Sequence, residues 1–356
     1  MRPVAEVPGA LGTLVTAVAA GGAAAAPSLQ DAAADSAVVL LQIASAASDR
    51  ARRVAEVPGA LPTLVGAVAA GGAAAATRLQ SAAANSAGVV AEITRTGDDL
   101  NWRVADAPRA LRTLVAALAA GSATATPSLQ TTAANSFLAL SHVASACPDL
   151  ARRLAQAPGA LVALVAALAA GGTGAAPSLQ KASTRSAGVL AVIASAGPEL
   201  ARDAAEVPGA LAALIAAVAA GGAAAVPRLQ DAAANSAEAL AKIASAGPEH
   251  ARRLAEVPSA LPALVAATNH SGSTAEAAKR AVAVLRSWAE AAVAAASTAC
   301  GHCGRSADKA SGVRLRLCAG CNTARFCNAE CQRHAWRGHK VACRVIAATS
   351  GGNRGS

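Results

Sequence analysis

Apolar and polar residues alternate with helical spacing along most of the chain. Leu61, Leu64, Val65 and Val68 stand at i, i+3, i+4 and i+7, the stripe of one helix face, which Gly71 and Gly72 then stop. After an alanine- and glycine-rich loop, Leu79, Ala83, Ser86, Val90 and Ile93 recur on one face and predict a second, longer helix. A short third helix, such as Pro198 to Glu206, opens with proline in its first turn and ends before Pro208-Gly209. The pattern returns at a period of 50, and its most regular phrase reads "VAEVPGALGTLV" from Val4, "VAEVPGALPTLV" from Val54, "VADAPRALRTLV" from Val104, "LAQAPGALVALV" from Leu154, "AAEVPGALAALI" from Ala204 and "LAEVPSALPALV" from Leu254. Six copies fill residues 1–297, the signature of a repeat array in which each unit buries its apolar face on its neighbours.

Composition sharpens this. The 356 residues are 54% apolar and 15% charged, which excludes a polar disordered chain. Much of the apolar content is alanine, so each helix buries little surface and must pack closely. Uncharged stretches such as Val7 to Gln30 have the length of a membrane span, but glycine pairs and proline interrupt each one, and no transmembrane helix is predicted. The N-terminal segment also has the look of a secretory signal; the same words return inside the chain, so the repeat explains it. The first copy begins in the middle of its short helix, which predicts a truncated or poorly capped start.

Three helices per unit, one of them short, with a glycine bend before "ALxxLV" and a long helix ending near "IASAG", resemble the armadillo repeat family. The resemblance implies a mainly α fold, an α-α superhelix, and a groove that holds an extended peptide. Arg109 and Ser259 depart from it by replacing the bend glycine, and the last copy shortens its loop and ends on Trp288, which reads as a terminal cap. Opposite the apolar stripe of the long helix, Asp35, Asn85, Asn135, Arg185 and Asn235 stand in register. By resemblance Asn85, Asn135 and Asn235 are candidate peptide-binding residues; a plain solvated face is the competing reading. The positions nearer the helix end, where the family carries its asparagine, hold Gln42, Glu92, His142, Val192 and Lys242, a departure from binders of nuclear-localisation peptides.

The chemistry is concentrated at the C-terminal end. Seven of eight cysteines lie between Cys300 and Cys343, as C-x2-C, C-x2-C, C-x3-C and then H-x3-C. Cysteines separated by two residues on a tight turn aim both sulfurs at one metal, and Cys327 with Cys331, like His339 with Cys343, share a face over one helical turn. Cys300, Cys303, Cys318, Cys321, Cys327, Cys331, His339 and Cys343 therefore make eight ligands for two structural zinc ions. A disulfide framework accounts less well for seven cysteines plus a histidine at ligand spacing. His302 and His334 stand nearby without ligand spacing, and Cys147 occupies a turn position that is glycine in other copies. "VRLRLC" alternates with period two and predicts a short strand.

With Phe326 before Cys327, Gln332 after Cys331 and "W-x2-H-x3-C" from Trp336 to Cys343, the segment resembles the MYND-type zinc finger. The resemblance implies interleaved sites, Cys300, Cys303, Cys327 and Cys331 on one zinc and Cys318, Cys321, His339 and Cys343 on the other. It also implies a surface for proline-containing peptides at Gln332 and Trp336. Ala335 departs from the family, which often has an acidic residue or histidine there. A module of this size buries too little apolar surface to fold alone, so metal supplies about 10 kcal/mol or more per site.

These readings predict an array over 1–297, a finger over 298–343 and a flexible tail over 344–356. They predict a non-enzymatic adaptor with protein or peptide partners at both parts, in the cytoplasm or nucleus because zinc thiolates persist where thiols stay reduced. The net charge is +10, and from residue 298 onward ten Lys and Arg face only Asp308 and Glu330. That imbalance keeps nucleic acid as an alternative partner, less favoured because bound thiolates offset part of it. A RING-like ubiquitin ligase component is the other alternative, and its spacing lacks the C-x3-C then H-x3-C run.

Overall fold

A computed structural model of the chain describes residues 6–7, 9–121, 124–222, 225–270, 272–307 and 313–350. It divides into two compact units, Met1–Leu200 and Ala201–Ser356. The first unit holds the middle helices α1 (Ala10–Ala20), α4 (Ala60–Ala70), α7 (Ala110–Ala120) and α10 (Ala160–Ala169). Its long helices are α2 (Pro27–Ala46), α5 (Thr77–Thr96), α8 (Pro127–Ala146) and α11 (Pro177–Ser195), and its short ones α3 (Ser48–Glu56), α6 (Asp98–Asp106) and α9 (Pro148–Gln156). After α12 (Pro198–Glu206), the second unit continues with α13 (Ala210–Ala220), α14 (Pro227–Ser245), α15 (Pro248–Glu256), α16 (Ala260–Ala267), α17 (Ser273–Val293) and α18 (Ala295–Thr298). Strands β1 (Arg316–Leu317) and β2 (Arg325–Phe326) and helix α19 (Ala329–Ser350) complete it. The three-helix period of the sequence is thus the period of the fold.

Long helices pack on long helices, α2 on α5, α5 on α8 and α8 on α11, and in the second unit α14 on α17. Their stripe residues, among them Leu40, Val90, Ile93, Leu140 and Ile243, are buried between repeats. Alanine keeps the helices near enough to touch. Gly71 shows how near: a Cβ there would stand 2.2 Å from the Cβ of Ala83, and Gly21, Gly121, Gly171 and Gly221 meet the long helix in the same way. Gly71 has φ −86°, so the glycine ends its helix because the long helix crosses it, not through a left-handed turn. The bend before each middle helix does need one, with φ between 76° and 81° at Gly9, Gly59, Gly159 and Gly209. Arg109 is forced to φ 63°, whereas Ser259 escapes to a right-handed conformation.

Polar groups stitch the repeats locally. Pro27, Pro127, Pro177 and Pro227 start the long helices, where the missing N–H costs nothing. The side-chain amides of Gln30, Gln80, Gln130 and Gln230 donate to the carbonyls of Ala25, Ala75, Ala125 and Ala225, pinning each loop at 3.0–3.1 Å. Between short helices, Arg103 donates to the Ala55 carbonyl at 2.8 Å and Arg253 to that of Ala205 at 3.4 Å, satisfying groups near helix C-termini. Arg153 pairs with Asp106 and also lies over the Trp102 ring.

Two expectations are corrected in the second unit. The last copy is not the terminal cap, because α19 packs on α17 and also touches α15 and α16. The flexible tail does not begin at residue 344: α19 runs to Ser350, and Val345 and Ile346 are buried with Val341 and Ala342. Residues 1–5, where the first copy's start was expected to be poorly capped, and residues 351–356 lie outside the described residues. Among the described residues no single helix is long and apolar enough to cross a membrane.

Candidate metal centre

Each C-x2-C pair sits on the same kind of turn. The Gly304 N–H donates to the Cys300 carbonyl and the Asn322 N–H to the Cys318 carbonyl, at 2.9 and 2.8 Å. Gly304 has φ 72° and Asn322 φ 53°, the left-handed residues that close the two turns. The Cys300 N–H donates to Arg305 and the Cys318 N–H to Ala324, so both loops fold back on themselves. β1 pairs antiparallel with β2, Arg316 opposite Phe326 and Leu317 opposite Arg325, so Cys318 and Cys327 leave the ladder at opposite ends. The expected strand is present but confined to Arg316–Leu317. Asn328 then accepts from the Cys331 N–H at 2.9 Å, capping the start of α19.

These elements assemble two tetrads. Cys300, Cys303, Cys327 and Cys331 form one, and Cys318, Cys321, His339 and Cys343 the other, with the ligand atoms of each within 4.8 Å of one another. The interleaving implied by resemblance is the arrangement of the fold. A tetrahedron with Zn–S near 2.3 Å and Zn–N near 2.05 Å has S···S edges of about 3.8 Å and S···N edges of about 3.6 Å. The observed separations are 3.6 Å for Cys303–Cys327, 3.8 Å for Cys318–Cys343, and 3.6 and 3.4 Å from His339 Nε2 to Cys321 and Cys318. All the cysteines are free thiols. The donor set and its edges fit two zinc ions.

Residues 300–343 match the MYND finger family. Comparison with curated proteins gave no match for the chain. Among solved structures, a designed armadillo repeat protein shares 23% identity with a TM-score of 0.57, covering 76% of this chain and 99% of that one. Computationally designed armadillo repeat proteins for modular peptide recognition give 22% and 0.59, covering 77% and 99%. A designed armadillo repeat protein in complex with the peptide (KR)4 gives 24% and 0.57, again covering 77% and 99%. The chain therefore combines armadillo-like repeats with a MYND finger, a zinc-binding module of protein interaction.

The electrostatics of the MYND finger call for cations. Burial pushes the Cys300 thiol up, but backbone N–H groups of Cys303, His302 and Cys327 aimed at its sulfur outweigh this and bring it to about 6. Cys327 and Cys331 are pushed up to about 12 and about 11, by burial and by the sulfurs of Cys300 and Cys303. In the second tetrad burial and the neighbouring Cys318 push Cys343 up to about 12, while backbone N–H groups of Cys321 and Gly320 outweigh burial and lower Cys318. One thiolate forms readily and repels the next; a divalent ion removes that repulsion. Burial lowers the His339 pKa, which leaves its ring neutral and able to ligate.

The other candidate residues take varied places. His302 and His334 stack on each other, centroids 5.1 Å apart, outside both tetrads. Trp336 meets His339 edge-on at 6.0 Å and stays 44% exposed, while Phe326 packs on His339 at 5.6 Å and is buried. Gln332 donates its amide to Cys318 Sγ at 3.5 Å, so it also orients a ligand. Asn85 and Asn135 lie half-buried on adjacent long helices, and Asn135 donates to the Ala84 carbonyl at 2.9 Å, tying one repeat to the one before. Arg185 makes the same step to Ala134 at 3.3 Å. Asn235 is half-buried in the second unit. Cys147 has φ −164°, an extended backbone that needs no glycine. The one contributor the sequence did not suggest is Gly320, where a Cβ would stand 2.7 Å from Cys343 Sγ; its place inside a C-x2-C pair was the available signal.

Proposed function

We propose that the chain is a non-catalytic adaptor of the cytoplasm or nucleus, with the MYND finger holding an extended, proline-containing peptide along β1 beside Gln332 and Trp336. The observation that carries this is an open strand edge in the same finger as an exposed aromatic ring, which reaches the ladder through His339 and Phe326. Among the described residues, Arg316 and Leu317 make no main-chain hydrogen bond outside the β1–β2 pair, and Trp336 and Leu317 are exposed. An extended peptide can add to such an edge through its backbone while its side chains enter flanking apolar sites. Two structural zincs rather than an open metal position favour recognition over hydrolysis. Free zinc-ligand thiols suit a reducing compartment.

The repeat array is the second interaction surface in this reading. The likeness to designed repeat proteins made for peptide recognition supports it. Asn85 and Asn235 are better placed than Asn135 to meet a peptide, since the Asn135 amide already serves the neighbouring repeat. Binding of a labelled proline- and leucine-containing peptide to the full zinc-loaded chain tests the finger. Trp336→Ala should weaken it about 30-fold, the cost of an interface anchor, with two zincs retained. Unchanged affinity in that variant excludes the β1–Trp336 surface.

A further inference from the structure

Cations of the repeats divide between those that face a carboxylate and those, such as Arg50, Arg53, Arg109 and Arg112, that form no ion pair among the described residues; in the finger the second kind prevails. In the array, Arg52, Arg78, Arg95, Arg152, Arg153 and Arg252 all face carboxylates within salt-bridge distance. In the finger, Arg314, Arg316, Arg325, Arg333 and Arg337 are exposed and make no ion pair among the described residues. Glu330 is the one carboxylate among the described residues of that segment, and it lies 3.8 Å from His334. A surface that leaves its cations unanswered is complementary to an anionic partner.

The geometry places part of this charge at the open strand. Arg316 is the cross-strand partner of Phe326, so both side chains leave the same face of the ladder. Phe326 packs on His339, and Trp336 lies against the same imidazole. Arg316 thus belongs to the face that carries Trp336. Burial alternates through the preceding residues, Val313 and Leu315 half-buried and Arg314 and Arg316 exposed, which returns Arg314 to that face. A strand added at β1 would place alternate side chains opposite these two guanidiniums.

We propose that the peptide taken at β1 is acidic, with Asp or Glu at alternate positions reading Arg314 and Arg316 beside its apolar centre. This rests on the peptide-binding reading above. Nucleic acid offers the same charge but no backbone to complete a strand edge, so the observations favour a peptide.

The test uses the full zinc-loaded chain and two labelled peptides with the same proline-leucine centre, one flanked by aspartates and one by asparagines. The acidic peptide should bind about tenfold more tightly, the sum of two or three exposed pairs, and the gap should shrink as salt rises. In Arg314→Glu/Arg316→Glu, checked for two zincs by native mass spectrometry, the preference should vanish. Equal binding of both peptides overturns this inference and leaves the peptide-binding proposal standing; binding of neither removes both. A single-stranded oligonucleotide that binds more tightly than the acidic peptide, and loses its affinity in the variant, also overturns it.

Discussion

Gly320 lies between Cys318 and Cys321, and adding one methyl group there tests the second zinc site. A Cβ would stand 2.7 Å from Cys343 Sγ and 3.8 Å from Cys318 Sγ. Non-bonded heavy atoms rest at about 3.5–4.0 Å, so the sulfur of Cys343 must retreat by about 1 Å. That is nearly half of a Zn–S bond of about 2.3 Å, and it leaves Cys318, Cys321 and His339 with an incomplete tetrahedron. Outer-shell changes alone cost about 10- to 100-fold in metal affinity, so displacing a direct ligand should cost at least about 100-fold, or about 3 kcal/mol. Native mass spectrometry under graded chelator reads this directly: wild type should hold two zincs at a chelator level where Gly320→Ala holds one. Gly338→Ala is the control, on α19 beside the ligand His339 with nothing within 4 Å of the new Cβ, and should keep both ions. If Gly320→Ala keeps two zincs with wild-type resistance, the assignment of Cys343 to a closed site is wrong.

Zinc binding should weaken as pH falls. The thiols of Cys327 and Cys331, raised to about 12 and about 11, are protonated at neutral pH in the metal-free finger, so each zinc entering must expel protons. Two such protons make affinity fall about 100-fold per pH unit of acidification, and competition titrations at two pH values that agree would refute this. Arg109→Gly should stabilise the array by about 1 kcal/mol in urea melts, because glycine accepts φ 63° without strain. Ser136→Ala should stabilise by about 1 kcal/mol, since the Ser136 hydroxyl is fully buried with no partner among the described residues, as are those of Ser86, Ser186 and Ser236; a loss instead would mean the hydroxyl is bonded, for instance to internal water. Ile346→Ala should cost about 2–5 kcal/mol by opening a cavity around α19, and an unchanged melt would show that the helix end is not docked.

Much of this molecule was legible because its signals are local. Helical spacing at Leu61, Leu64, Val65 and Val68 depends on neighbours a turn away, and eight metal ligands announce themselves by residue type and short spacing. The end of α19 is legible too, against a tail from residue 344: Val341, Val345 and Ile346 continue an apolar pattern, and no glycine interrupts it between Gly338 and Gly351. Other features had no local signature. Asn135 reads as a face residue until the carbonyl of Ala84 is found beside it, 51 positions earlier.

By itself, then, the sequence determined the repeat, its three helices, the glycine bends and the presence of zinc, each being a matter of residue type and a few neighbouring positions. Only the tertiary structure decided the rest. It showed which C-x2-C pair joins which later ligands, that Gly71 yields to a crossing helix, and that the finger's own helix covers the last repeat. The physical reason is common to all three: each depends on the close approach of segments distant in the chain, and a residue's identity does not say which distant surface it will meet.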